Sequence, residues 1–256
     1  MGEKQLTRAD KTYFSIFGAL LIIFGAAMTG INNSAQMVSN TSQDIIERQQ
    51  IVLDAGHGGL DGGSVAADDT VEKDINLAIT LKLKDILNFM GFDVILTRET
   101  DVSLHDETKK TTHGKKVSDL ENRLDIINDH PDSIFISIHQ NHFPQSKYKG
   151  TQVFYSSNNE ESIKIAQSIQ QRIINDLQND NNRAIKDIGT ASYLMKNSKV
   201  PSVLIECGFI SNNEDLANLK NDEYQKKFSF SVLCGLMEAV NQQNQSTFTH
   251  VTDVFE

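Results

Sequence analysis

Cysteine, proline and positive charge are all scarce in this chain. Cys207 and Cys234 are the only cysteines among 256 residues, so no disulfide framework holds the fold. Cys207 follows the end of an apolar strand-like run and Cys234 lies in an apolar helical pattern, and both read as buried free thiols. Three prolines and 15 glycines against 39% hydrophobic residues exclude a disordered chain and indicate a folded globular body. No segment repeats at a fixed period, which leaves one domain as the working count. Basic residues number 24 against 34 acidic ones, a net charge of −10. Without residues 1–36, which hold three basic and two acidic side chains, the net charge is −11. Such a body does not adhere to nucleic acid by charge. A nucleotide-binding fingerprint is missing too: Gly56-His57-Gly58-Gly59 lacks the G-x-G-x-x-G spacing, and no Gly-Lys-Ser/Thr follows it.

What is present begins with an uncharged apolar run. Lys4, Arg8 and Lys11 lie in a basic segment, residues 1–12, and precede a stretch over 13–31 without a charged residue. Its length is about the roughly 20 residues needed to span a bilayer, and it also suits the core of a signal peptide. A buried helix would need apolar packing on every side, so that reading is set aside. Ala26-Ala27 offers a mediocre cleavage site, which favours an anchor over a cleaved signal. In either case the preceding positive charge keeps the N-terminus in the cytosol and sends the rest outside. Residues 32–50 are polar and form a linker, the folded body spans 51–241, and 242–256 is a polar tail.

Within the body, apolar strand runs alternate with helical stripes. Strands are expected at Ile51–Ala55, Asp93–Thr97, Ile134–His139, Thr151–Tyr155, Tyr193–Met195 and Pro201–Glu206. Helices are expected over Glu72–Met90, Leu120–Asn128 and about Glu160–Leu177, with two more closing the chain. Residues 99–118, charged and polar, read as an exposed loop over the site. The alternation predicts an α/β domain with a central, mostly parallel sheet flanked by helices on both faces.

Two of the apolar runs lead into histidines, Ile51-Val-Leu-Asp-Ala-Gly-His57 and Ile134-Phe-Ile-Ser-Ile-His139. Strand ends deliver side chains to the carboxyl edge of a sheet, where α/β proteins bind ligands, so these rings can converge across 82 positions. Glu72 opens a helical stripe and Glu206 ends another apolar run. Two imidazoles and one carboxylate suit Zn²⁺ while leaving a fourth position open, as in a catalytic site. Asp54 and Asp61 are rival carboxylates. Asp54, inside the strand, is read as orienting a ligand or bracing the glycine turn, and Asp61 as stabilising the loop. His142 is read as a rim residue. Cys207 as a nucleophile is disfavoured, because it must point opposite to Glu206.

The segments around His57 through Gly63, Glu72 in Val-Glu-Lys-Asp-Ile-Asn-Leu-Ala, Ser-Ile-His139-Gln-Asn141 and Val-Leu-Ile-Glu206-Cys-Gly-Phe-Ile-Ser-Asn212 together resemble the zinc-dependent N-acetylmuramoyl-L-alanine amidases that cut bacterial peptidoglycan. The resemblance covers about residues 51–241. It implies one Zn²⁺ held by His57, Glu72 and His139, Glu206 as the catalytic carboxylate, and Asn141 against substrate. Arg98 and Arg123 match family positions and read as structural. With one catalytic domain behind an apolar segment and no wall-binding repeats, the chain is similar to the small sporulation amidases of Gram-positive spore formers. The expected partners are peptidoglycan, the membrane through the N-terminal segment, and an extracytoplasmic activator protein. The rival functions are a zinc peptidase acting within the stem peptide and a non-catalytic wall-binding protein.

Overall fold

A computed structural model describes residues 49–253, with side chains to residue 242. Six strands form one sheet: β1 (Gln50–Ala55), β2 (Asp93–Leu96), β3 (Ser133–Asn141), β4 (Gln152–Tyr155), β5 (Lys186–Asp187) and β6 (Ser202–Phe209), in the order β2-β1-β3-β6-β4-β5. The first four strands in that order run parallel, whereas β4 pairs antiparallel with β6 and parallel with β5. The sheet is therefore mixed, with a parallel centre and a reversed edge. β1, β3 and β6 are near-continuous apolar runs, buried along almost their whole length, as strands covered on both faces must be.

Six helices complete the domain: α1 (Glu72–Phe89), α2 (Thr112–Asn128), α3 (Glu161–Asp176), α4 (Tyr193–Asn197), α5 (Asn213–Leu219) and α6 (Asp222–Asp253). α1, α3 and α6 cover one face, burying Ile79 and Leu83, Ile165 and Ile169, and Phe228 and Val232. On the other face, Val52, Phe135 and Leu204 of the sheet pack against Ile127 of α2 and Leu194 and Met195 of α4. Helices thus lie on both faces, as the alternation of elements requires.

Two expected elements differ from what forms. Tyr193–Met195 is helical rather than extended: the Ser192 hydroxyl accepts from the Met195 N–H at 3.4 Å, a side-chain N-cap that starts α4. The edge position belongs instead to the two exposed residues of β5, too short and polar to leave an apolar signal. Helix α2 begins at Thr112, eight residues before Leu120, because the Thr111 hydroxyl accepts from the Gly114 N–H at 3.0 Å and caps it. The added turns are charged and solvent-facing, so they carry no hydrophobic period. Both cysteines are free, Cys207 buried and Cys234 partly so. Among the described residues no helix is long and apolar enough to cross a membrane, and the apolar run 13–31 lies outside them.

The topology sets the site. β1 connects outward to β2 on one side while β3 lies on its other side, so the crevice between the carboxyl ends of β1 and β3 is a switch point. Behind it, α6 crosses α3 so closely that a Cβ on Gly235 would fall 2.6 Å from the Cα of Ile169. Alanine favours a helix interior over glycine by about 1 kcal/mol, but the backbone of α3 cannot yield cheaply. Gly235→Ala is therefore expected to lower unfolding stability by about 1–3 kcal/mol in urea denaturation. A gain in stability would contradict this account of the helix crossing.

Candidate metal centre

The loop after β1 reverses sharply and places His57 at a φ of 64°, in the left-handed region that non-glycine residues seldom occupy. Such a conformation persists only where its surroundings fix it. Two buried arginines do so. Arg123 on α2 donates from Nη2 to the His57 carbonyl at 2.7 Å and from Nη1 to the Ala55 carbonyl at 3.1 Å. Arg98 donates to the carbonyls of Ala55 at 2.8 Å and Gly56 at 3.1 Å. Arg123 is paired with Asp54 and, at 2.8 Å, with Asp119. The Asp54 carboxylate also accepts from Thr97 of the β2 end and Ser137 of β3, each at 2.7 Å. Burial alone would raise the Asp54 pKa, yet the Arg123 charge and these hydrogen bonds hold it at about 2.

Asp54 thus braces the glycine turn, and it bonds to neither histidine ring. The ligand-orienting contact comes from Asp61, whose Oδ2 lies 3.2 Å from His57 Nδ1 and 3.0 Å from Lys116 Nζ. Sequence reading assigned Asp61 only to the loop. A loop aspartate four residues beyond a histidine carries no periodic signal, and the turn that returns it to the ring is fixed by reciprocal backbone bonds between Gly58 and Asp61.

His57, Glu72 and His139 come together. Glu72 Oε1 lies 3.3 Å from His57 Nε2 and 3.1 Å from His139 Nδ1, and one ligand atom from each residue falls within 4.8 Å of the others. Glu72 is buried at the start of α1, where the backbone N–H groups of Gln140, at 3.0 Å, and Ser64, at 2.9 Å, bond to its two oxygens. Burial opposes its charge, but the bonds and charges of His139 and His57 hold it well below the usual carboxylate range. Burial likewise works against charging His57, and Glu72 and Asp61 outweigh it, so its pKa is raised. An anionic oxygen facing two imidazole nitrogens is a set that a divalent cation of the zinc type would fit.

Glu206, the register partner of His139 in β6, lies outside this triad. Its Oε2 is buried without a hydrogen-bond partner. Burial pushes the carboxyl up to about 7, with the Glu72 charge adding to the effect and the His139 and His57 rings opposing it. A buried carboxyl of that kind is suited to proton transfer near neutrality. Cys207 is fully buried, and burial pushes its thiol up, which leaves no thiolate for attack. His142 is exposed and takes no part in the cluster, and Asn141 is partly buried two positions beyond His139. His57, His139 and Glu206 line a cavity of about 350 Å³ whose wall also includes Leu120, Ile188 and Tyr193. The wall from 188 to 194 went unseen in the sequence, where Tyr193–Met195 read as a strand.

The family model described as N-acetylmuramoyl-L-alanine amidase matches residues 51–238. The germination-specific N-acetylmuramoyl-L-alanine amidase of Bacillus subtilis is 38% identical over 187 residues, covering 73% of this chain and 78% of the relative. The amidase AmiA of Escherichia coli is 26% identical, covering 74% and 75%. Among solved structures, the CwlD amidase from Clostridioides difficile, in complex with the GerS lipoprotein, is 43% identical, with a TM-score of 0.72 over 75% of this chain and 98% of that one.

Gly56 lets the His139 ring lie against the end of β1: a Cβ there would fall 2.2 Å from His139 Nε2. The ring, not the backbone, would have to move. Gly56→Ala is expected to keep the wild-type circular dichroism spectrum and to lose metal affinity by about tenfold or more, read by competition with a chromogenic chelator. Unchanged affinity would show that the His139 ring position is not needed.

Proposed function

The chain belongs to the N-acetylmuramoyl-L-alanine amidase family, and from that premise we propose that it holds one Zn²⁺ between His57, Glu72 and His139 while cutting the amide between the muramic acid lactyl group and L-alanine. The observation that carries this reading is the approach of those three side chains to within 4.8 Å beside the unpartnered Glu206 Oε2. When bound, zinc supplies Lewis acidity for amide hydrolysis at neutral pH. The protein supplies the rest. Asp61 fixes the His57 ring through Nδ1, and the N–H groups of Ser64 and Gln140 fix the Glu72 carboxylate. Glu206 takes a proton from the attacking water and delivers it to the departing alanine nitrogen, the two-way proton transfer that a buried carboxyl with a free oxygen can perform. Asn141, at the β3 end, contacts substrate.

The amidase acts outside the cytoplasm, tethered by the run 13–31 or freed from it by cleavage. A role in the spore cortex is supported by the likeness to a germination-specific amidase. The solved relative in complex with a lipoprotein supports an extracytoplasmic activator for this chain.

His57→Ala, Glu72→Ala and His139→Ala are each expected to lose both zinc and activity, measured by metal analysis and dye release from peptidoglycan. Glu206→Gln should retain zinc with activity lower by about 10²-fold or more, since it keeps the shape and removes the base. Loss of zinc from that variant would make Glu206 a ligand. Product analysis separates the amidase from a stem peptidase: new amino termini should be alanine, and muramidase should then release peptide-free disaccharides. New ends elsewhere in the stem, with the lactyl bond intact, would refute the amidase reading.

A further inference from the structure

A second cavity, of about 240 Å³, opens beyond the carboxyl ends of β3 and β6, lined by Asn141, Phe143, Tyr148, Arg183 and Phe209. Its walls are aromatic. Phe143 and Tyr148 meet edge to face at 4.9 Å, Tyr148 lies 6.4 Å from Phe209, and the Arg183 guanidinium sits 4.6 Å from the centre of the Phe209 ring. Phe143 and Tyr148 stay about 40% exposed, at 44% and 39%. Large aromatic side chains held open to water around a cavity mark a binding surface more often than a packing surface.

The charge in this cavity is unbalanced. Arg183 is fixed by donation from Nε to the Lys149 carbonyl at 3.0 Å and from Nη1 to Gln152 Oε1 at 3.1 Å. Among the described residues no carboxylate pairs with it, and its Nη2 has no hydrogen-bond partner. The neighbouring Lys149 is by contrast neutralised by Asp180 at 2.9 Å and Glu214 at 3.0 Å. Lys147 lies over the Tyr148 ring at 5.3 Å, also without an acidic partner. A chain with ten more acidic than basic residues has thus left these two cations without an acidic partner among the described residues. A guanidinium held over an aromatic ring, with one terminal nitrogen free, is arranged to receive a carboxylate.

We propose that Arg183, seated on Phe209, binds a carboxylate of the stem peptide on the peptide side of the scissile amide and so makes this protein selective for acidic stems. The inference rests on the amidase reading of the metal centre. Its geometry follows from the strands: Asn141 lies two positions past His139, about 7 Å along β3, and across a register shift in the β3–β6 ladder it pairs with Phe209. An extended peptide advances about 3.5 Å per residue. A stem whose first amide is at the metal centre therefore brings its second residue, an acidic one in peptidoglycan, level with this cavity.

The test uses the full zinc-loaded chain and two synthetic muramoyl peptides that differ only in a free carboxylate or a carboxamide on the residue after L-alanine. The wild type should cleave the carboxylate substrate with a kcat/KM about tenfold or more above the carboxamide. Arg183→Gln should lose that preference through KM on the carboxylate substrate alone, and Arg183→Lys should keep part of it. A purely structural role would depress both substrates equally. Equal wild-type rates on the two substrates, or equal losses on both in Arg183→Gln, would overturn the subsite while sparing the amidase. Release of an alanine-headed peptide from neither substrate by the wild type would overturn the amidase reading and the subsite with it.

Discussion

Glu72 must remain an anion in a buried position, and the surrounding structure is organised around that requirement. A carboxylate removed from water needs compensation from charges and donors. Here these are two imidazoles at 3.1 and 3.3 Å and two backbone N–H groups. They come from two distant parts of the chain: His57 and Ser64 from the loop after β1, His139 and Gln140 from the end of β3. The acid itself opens α1. Bringing together His57 and His139, 82 positions apart, is the task of the parallel sheet, which sets the ends of β1 and β3 side by side. The same convergence that stabilises the anion sets three candidate ligand atoms within 4.8 Å of one another.

Beneath this centre lies a second buried charge system that hydrogen-bonds to none of the three candidate ligand side chains. Asp54 and Arg123 are almost without exposure, at 1% and 2%, and join β1, β2, β3 and α2 in one hydrogen-bonded frame. Replacing such a pair by apolar residues can leave stability unchanged, so its value here is positional. Its geometric product is the His57 carbonyl held in a left-handed turn, which aims the ring at Glu72. The approach of the three candidate ligands and the left-handed turn of the glycine loop are therefore two consequences of one arrangement.

The sheet centre and the triad were legible because they follow strong local rules. Long apolar runs buried on both faces, each leading into a histidine, can be read from residue order alone, as can the stripe on α1 that opens with Glu72. Other parts were hidden for physical reasons. α2 starts with charged turns held by the Thr111 cap, and β5 is two exposed residues placed by its neighbour. α4 is fixed by Ser192 capping rather than by a hydrophobic period. Asp61 reaches His57 through backbone bonds of the turn, and Arg183 meets Phe209 only after the chain has folded. Tertiary proximity of polar residues, in contrast to apolar periodicity, leaves no mark in the order of residues.

The central claim, that one zinc ion is held by two imidazoles and one carboxylate at this switch point, is tested most directly by X-ray absorption at the zinc edge on the metal-loaded protein. The account predicts one zinc per chain, surrounded by nitrogen and oxygen at about 2.0–2.1 Å, with multiple scattering from two imidazoles. A sulfur neighbour at about 2.3 Å, a third imidazole, or two zinc ions per chain would contradict it.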